Sequence, residues 1–175
     1  MNERQGNSSN PLVAIVMGSD TDLPTMTESA RTLKEFGIPF EVEITSAHRS
    51  PARTAEYARS GRQRGLKAFI VGAGAAAHLA GVIASETTLP VIGVPLASTP
   101  LNGLDSLLST VQMPSGVPVA TMAVGKAGAV NAAIFAAGII ATSDPELAKR
   151  LDEHKEKLAR GVAEKSEKVR REFSV

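Results

Sequence analysis

Five short apolar runs, each followed by a stretch with helical spacing, constrain this chain more than any other feature. Leu12-Val13-Ala14-Ile15-Val16-Met17 is apolar without a break, the pattern of a parallel strand covered on both faces. Further strands are predicted over about Phe40 to Ile44, Ala68 to Val71, Val91 to Val94 and Pro118 to Val124. The spacing predicts a helix from Leu23-Pro24 to near Phe36, with Gly37 just past its end and Asp22 placed to cap its start. A second helix runs from about Ala52 to Arg64 and stops at Gly65, a short one follows His78, and another follows a turn at Asn102-Gly103. Alternation of this kind specifies a parallel sheet with helices on both sides. In such a sheet, ligands bind at the carboxyl ends of the strands.

The 175 residues fit one domain with a substantial core. Residues 1–10, rich in Asn, Ser and Gly, read as a disordered arm, residues 11–142 as the α/β domain and residues 143–175 as a helical tail. The segment from Ala127 to Ala141 is small and apolar all round, as expected of a helix buried on every side. In a domain this small, that points to subunit contacts and a homo-oligomer. The tail starts at Ser143-Asp144-Pro145-Glu146 and carries Leu147, Leu151, Leu158, Val162, Val169 and Phe173 as a thin stripe amid dense charge. It is expected to pack on a neighbouring subunit.

Composition removes several classes of function. The net charge is +1 and aromatic residues make up 3% of the chain, which leaves no case for nucleic acid or for a charged membrane surface. There is no cysteine, hence no disulfide, thiolate metal site or thiol nucleophile. The polar first residues lack the apolar stretch of a secretory signal, and no unbroken apolar segment reaches spanning length. A soluble, cytoplasmic protein is expected. The three histidines, His48, His78 and His154, lack metal-ligand spacing. Gly72-x-Gly74-x-x-Ala77 matches a dinucleotide fingerprint in form, but it follows the third strand and no acidic residue ends the next one. Lys126 after Gly125 lacks the spacing of a phosphate-binding P-loop, and no Gly-x-Ser-x-Gly elbow is present.

What remains is a polar set at consecutive strand ends. Ser19, Thr21 and Asp22 follow the first strand, Ser46, His48 and Arg49 the second, and Gly74 and His78 the third. Ser50 is placed as an N-cap and Pro51 as a first helical residue, so His48 and Arg49 are held side by side in a strand-to-helix turn. Hydroxyls and amides at helix N-termini suit a phosphate, and Arg49 adds a fixed charge with a planar fork. Asp22 is able to accept from ribose hydroxyls as well as to cap its helix. His48 is the one group there whose ordinary pKa, ~6.5, lets it give and take a proton near neutrality. His78 reads as a structural hydrogen-bonder at its helix start.

Those segments also carry a resemblance. Gly18-Ser19-x-Thr21-Asp22, Ser46-Ala47-His48-Arg49-Ser50-Pro51 and Gly72-Ala73-Gly74-x-Ala76-Ala77-His78-Leu79 resemble the signature segments of the PurE family. So do Leu101-x-Gly103-x-Asp105-Ser106-Leu107, Val111-Gln112-Met113-Pro114 and Gly125-Lys126-Ala127-Gly128, in the same order, over about Val13 to Thr142. The resemblance implies a flavodoxin-like three-layer α/β sandwich with a central parallel sheet, to which the tail adds a C-terminal helix. It implies an octamer with active sites at subunit contacts, and a 5-(carboxyamino)imidazole ribonucleotide mutase of purine biosynthesis. The partner is a small-molecule ribonucleotide, and neither a metal nor an organic cofactor is expected. By the same resemblance Ser19, Asp22 and Arg49 contact the ribonucleotide and His48 is the general acid/base. Thr21, Ser46, Ala47, Ala73, Gly74, His78 and Leu79 complete the expected binding site. Thr21 stands where the family has a serine, Ala75 where it has a glycine and Ala80 where it has a proline. An alanine at position 75 narrows the backbone available to that loop. Arg49 favours the mutase over the carboxylase that takes free carbon dioxide, where the resemblance implies a lysine. The competing readings are that carboxylase, a non-catalytic nucleotide- or flavin-binding module, and a redox enzyme.

Overall fold

Strands buried on both faces lie in the middle of a parallel sheet, and β1 (Val13–Met17) is buried at every position. In the computed structural model, which describes residues 10–173, β1 lies between β2 (Phe40–Ile44) and β3 (Ala68–Gly74). Ile15 sits opposite Val42 on one side and Ile70 on the other. β4 (Val91–Leu96) adds beside β3, and β5 (Ala120–Thr121) beside β4, all parallel. The resulting order, β2-β1-β3-β4-β5, reverses its direction of winding between β1 and β3. A crevice opens at the carboxyl ends of the strands where that reversal occurs.

Two helices, α1 (Leu23–Glu35) and α5 (Lys126–Ala141), cover one face, where Ile15, Ile70, Val94, Leu33 and Ala133 share a core. On the other face α2 (Pro51–Ser60) and α3 (Leu79–Glu86) close over Val16, Phe69 and Val71. There α4 (Leu104–Val111) approaches β4 so closely that a Cβ on Gly93 would collide with Thr110. The architecture is the expected three-layer sandwich. The glycine of Gly125-Lys126-Ala127-Gly128 nearest the helix has a plain packing reason. A Cβ on Gly128 would run into the Ala123 carbonyl, against which the start of α5 is folded.

Four boundaries or packing expectations change. The fifth strand pairs over only two residues, Ala120 and Thr121, instead of Pro118 to Val124. Met122 N–H still donates to Gly93 O at 2.8 Å, but the next rung would need an N–H on Pro95, which has none. α2 ends at Ser60, short of Arg64: Gly61 N–H already bonds Ala58 O at 3.2 Å in a tighter turn, and a Cβ on Gly61 would collide with the Phe69 ring. The third strand runs on to Gly74. Within one chain α5 is not buried all round: Ala129, Ala132, Ala133 and Ala136 are inside, while Phe135 is 46% exposed.

The tail is one helix, α6 (Pro145–Phe173), with Asp144 capping it through Oδ1, which accepts from Leu147 N–H at 3.0 Å. At ~1.5 Å per residue it is roughly 40 Å long. Leu147 is 1% exposed, and Leu151 packs on the α1–α5 core. Farther along, Leu158, Val162, Val169 and Phe173 are 53 to 76% exposed. The first two turns are docked on the chain's own domain and the distal stripe is bare. Among the described residues, no helix is long and apolar enough to cross a membrane. Of the expected N-terminal arm only Asn10 is described; residues 1–9 lie outside the described residues, as do Ser174 and Val175.

Candidate active site

Four consecutive strand ends open onto one cleft of about 330 Å³. Gly18, Ser19, Thr21 and Asp22 come from the end of β1, and Ser46, Ala47, His48 and Arg49 from β2. Ala73, Gly74, Ala76 and Leu79 come from β3, and Ser98 from β4. Ten of the eleven residues expected there line the cleft; His78 is the exception.

The end of β1 continues into a 3-10 turn, Asp20–Asp22, before α1 begins. Ser19, not Asp22, makes the cap: its Oγ accepts from Thr21 N–H at 3.3 Å and from Thr21 Oγ1 at 3.0 Å. Asp22 occupies the N-cap position of α1 but makes no side-chain capping bond. Its capping role is therefore corrected, and its carboxyl is left facing the cleft. Half-buried, that carboxyl is pushed up from the ordinary carboxylate range by desolvation, and the backbone groups of Ser19 and Gly18 offset part of the rise.

The turn after β2 is heavily bonded. Ser50 precedes α2 as expected, with Pro51 first in the helix, but its hydroxyl does not cap the helix. It turns back instead, accepting from Ser46 N–H at 3.0 Å and donating to Ser46 O at 3.2 Å. Behind it, Thr45 Oγ1 lies 3.3 Å from Ser50 Oγ and 2.8 Å from Thr54 Oγ1. Arg49 donates from its backbone to Ser46 Oγ at 3.2 Å and from Nη2 to Gly18 O at 2.8 Å, which ties the second turn to the first. The guanidinium is thereby tied to the end of β1, and Arg49 lines the same cleft as Ser19 and Thr21.

His48 Nε2 lies 2.8 Å from His78 Nδ1, with the rings edge to face at 4.9 Å. His78 is at the N-cap of α3 but makes no capping bond. At the helix start it is a hydrogen-bonder, as expected, but through this ring-to-ring bond, in which one nitrogen donates and the other accepts. His78 reaches His48 in this way without itself lining the cleft.

In the loop after β3, Ala75 adopts a φ of +51°, a left-handed conformation that costs an alanine about 1–2 kcal/mol. Gly74, just before it, packs so tightly that any Cβ would collide with Ser98 Oγ. Gly18, Ala76 and Ser98 are the lining residues that sequence reasoning missed. For Ser98 the signal was present, since it follows the fourth strand as His48 follows the second. No group of three or more His, Asp or Glu that could hold a metal ion occurs among the described residues. The cleft thus offers a guanidinium with hydroxyls at one end, a half-buried carboxyl beside them and an imidazole farther along.

Comparison with known proteins gives a consistent picture. The model of the family described as AIR carboxylase matches residues 12–161. The chain is 54% identical to the N5-carboxyaminoimidazole ribonucleotide mutase of Pyrococcus horikoshii over 162 residues, 93% of this chain and 90% of that one. It is also 54% identical to the enzyme of that name from Bacillus subtilis over 159 residues, 91% of this chain and 98% of that one. Among solved structures, Treponema denticola PurE superposes with a TM-score of 0.81 at 29% identity, over 90% of this chain and 98% of that one.

Proposed function

The chain belongs to the AIR carboxylase family, and from that membership we propose that it is a 5-(carboxyamino)imidazole ribonucleotide mutase of purine biosynthesis. The product is 4-carboxy-5-aminoimidazole ribonucleotide. The observation that carries this reading is the cleft itself, which sets an imidazole beside an arginine-and-hydroxyl cradle at the reversal point of the sheet. The similarity to enzymes named as mutases over nine-tenths of the chain supports the same reaction.

In this reading the phosphate sits with Arg49, Ser19 and Thr21, and Asp22 accepts from ribose hydroxyls. The heterocycle then extends past Ser46 and Ala47 toward Ala73, Gly74 and Leu79, with His48 against it. His48 gives its proton to the exocyclic nitrogen as the bond from that nitrogen to the carboxylate breaks and carbon dioxide is released within the cleft. The ring carbon attacks the carbon dioxide, and His48 takes the proton from that carbon. One proton leaves the imidazole and one returns, so the group ends as it began. No step in this sequence calls for a metal or an organic cofactor. His78 supports the His48 ring from behind and does not touch the nucleotide.

We further propose that the working form is a homo-oligomer, an octamer by the family resemblance, in the cytoplasm. The bare distal stripe of α6 and exposed Phe135 support assembly, since apolar surface of this kind marks contact sites. The 143–175 segment would then pack its distal half on a neighbouring copy.

The deciding experiment supplies the carbamate nucleotide alone, in bicarbonate-free buffer, to wild type and His48→Asn. Wild type should form the carboxylated product, and the variant should be slower by about 10²–10⁴-fold while still binding nucleotide. Product formed only from aminoimidazole ribonucleotide with added bicarbonate would assign the carboxylase reaction instead. Equal rates for the two proteins would remove His48 from the chemistry.

A further inference from the structure

One lining residue, Ser98, has no part in the reaction as described above, and the chain devotes several bonds to holding it in place. Ser98 follows β4, and its backbone N–H donates to Leu96 O at 3.2 Å in a tight turn. Next to it, Thr99 Oγ1 donates to Asp105 Oδ2 at 2.7 Å and accepts from Leu101 N–H at 3.2 Å. Ser106 Oγ is shared between Leu96 O at 2.9 Å and Gly103 O at 3.0 Å, which fastens the start of α4 to the end of β4. Asn102 and Gly103, at φ +52° and +87°, make the reversal between them. The segment Leu101-x-Gly103-x-Asp105-Ser106 is thus a clasp whose output is the position of Ser98.

The clasp presses Ser98 against β3. Its Oγ occupies the place a Cβ on Gly74 would take. Yet among the described residues that hydroxyl makes no hydrogen bond, and it borders the cleft. Ser98 is exposed, so its hydroxyl is open to a ligand, and with the neighbouring strand kept bare to admit it the donor is arranged to meet something in the cleft.

Position along the sheet says what. The arginine and the hydroxyls of Ser19 and Thr21 lie over β1 and β2, while Ser98 lies two strands from β1, across β3. With strands ~4.8 Å apart, Ser98 is displaced from the anionic end by roughly 10 Å. That is about the reach of a ribonucleotide from its phosphate to the outer edge of its heterocycle. The carboxylate that the reaction moves is carried on that outer edge. Of the lining side chains, Ser98 is the one donor supplied by β4.

Resting on the mutase reading, we propose that Ser98 is a substrate-binding residue whose hydroxyl donates to the migrating carboxylate. Thr99 and Asp105 act through it as positioning residues. Asp105 holds Thr99 through Oδ2 alone, since its Oδ1 is buried with no partner among the described residues.

The test is calorimetric titration of wild type, Ser98→Ala and Thr99→Val with two ligands. One is 4-carboxy-5-aminoimidazole ribonucleotide, and the other is 5-aminoimidazole ribonucleotide, which lacks the carboxylate. Loss of a hydrogen bond to a charged group should weaken the carboxylated ligand about tenfold in Ser98→Ala and leave the other within about twofold. Thr99→Val should show a smaller shift with the same selectivity, and thermal melting verifies that both variants are folded. Equal weakening of both ligands, or of neither, overturns the role of Ser98. Failure of folded wild type to bind either ligand would instead remove the mutase reading on which the assignment stands.

Discussion

Two strand-to-helix turns lead to the histidines that bond each other beside the cleft, and they are built in opposite ways. The turn after β2 is bonded at almost every residue, through Ser46, Ser50, Thr45 and Thr54, and Arg49 fastens it to Gly18. The turn after β3 has one backbone bond, His78 N–H to Ala76 O at 2.8 Å, and is otherwise held by the packing of Gly74 on Ser98 and of buried Ala77 in the core. Between them Ala75 and Ala76 are exposed, and Ala75 is in a conformation unfavourable for an alanine. One half of the site is fixed before a ligand arrives, and the other retains a short segment able to adjust. The fixed half holds the groups that recognise a phosphate and move a proton, which lose most from misplacement.

The sharpest way to break this contrast is Ser50→Ala. It leaves Ser46 N–H, accepted by Ser50 Oγ at 3.0 Å, without its partner. Chemical denaturation should show a loss of about 1–2 kcal/mol, and turnover should fall because Arg49 and His48 lose their shared support. An unchanged stability would mean that the turn is held by packing and that its hydroxyls are incidental. Ala75→Gly tests the opposite half. Relief of about 1–2 kcal/mol of left-handed strain is opposed by about 0.5–1 kcal/mol of added chain entropy, so stability should rise by no more than about 1.5 kcal/mol. The rate should change by a few-fold if the loop moves during turnover, and viscosity dependence of kcat would separate motion from chemistry.

Asp22→Asn touches neither turn and sets the baseline. Burial raises the Asp22 carboxyl in the folded chain, so the folded state binds more protons than the unfolded one between the two pKa values. Stability therefore falls as pH rises through that window, and above it the ionised, half-buried group remains a burden. The amide variant should melt slightly higher at neutral pH, lose that pH dependence and bind nucleotide more weakly. A lower melting temperature at neutral pH would contradict the burial argument.

Much of this was legible in the sequence because it rests on local rules. The unbroken apolar run of β1, the glycine after α1 and the Ser50-Pro51 pair set strand, stop and start with short-range chemistry. Alternation then forced the site residues to one end of the sheet. What the sequence withheld depended on three dimensions. Whether Ser50 caps its own helix or turns back to Ser46 depends on the partners that meet there, since Thr45 Oγ1 reaches the Ser50 hydroxyl and is itself bonded to Thr54 Oγ1. The bond between His48 and His78 joins residues thirty positions apart and has no periodic signature. Ser98 was passed over because its neighbours carry no charge, and its importance shows only through the clasp and the bare face of Gly74.

The missing N–H of Pro95 has a consequence at the rim of the molecule. A fifth strand confined to Ala120 and Thr121 exposes too few unpaired backbone groups for a foreign chain to zip onto. At the opposite rim Glu41 and Glu43 engage Arg64 and Arg53, and docking a stranger there would disturb those ion pairs. Growth by sheet extension is thus closed at the β5 flank, which leaves copies of this protein to meet through their helices or along β2, where Val42 and Ile44 are exposed.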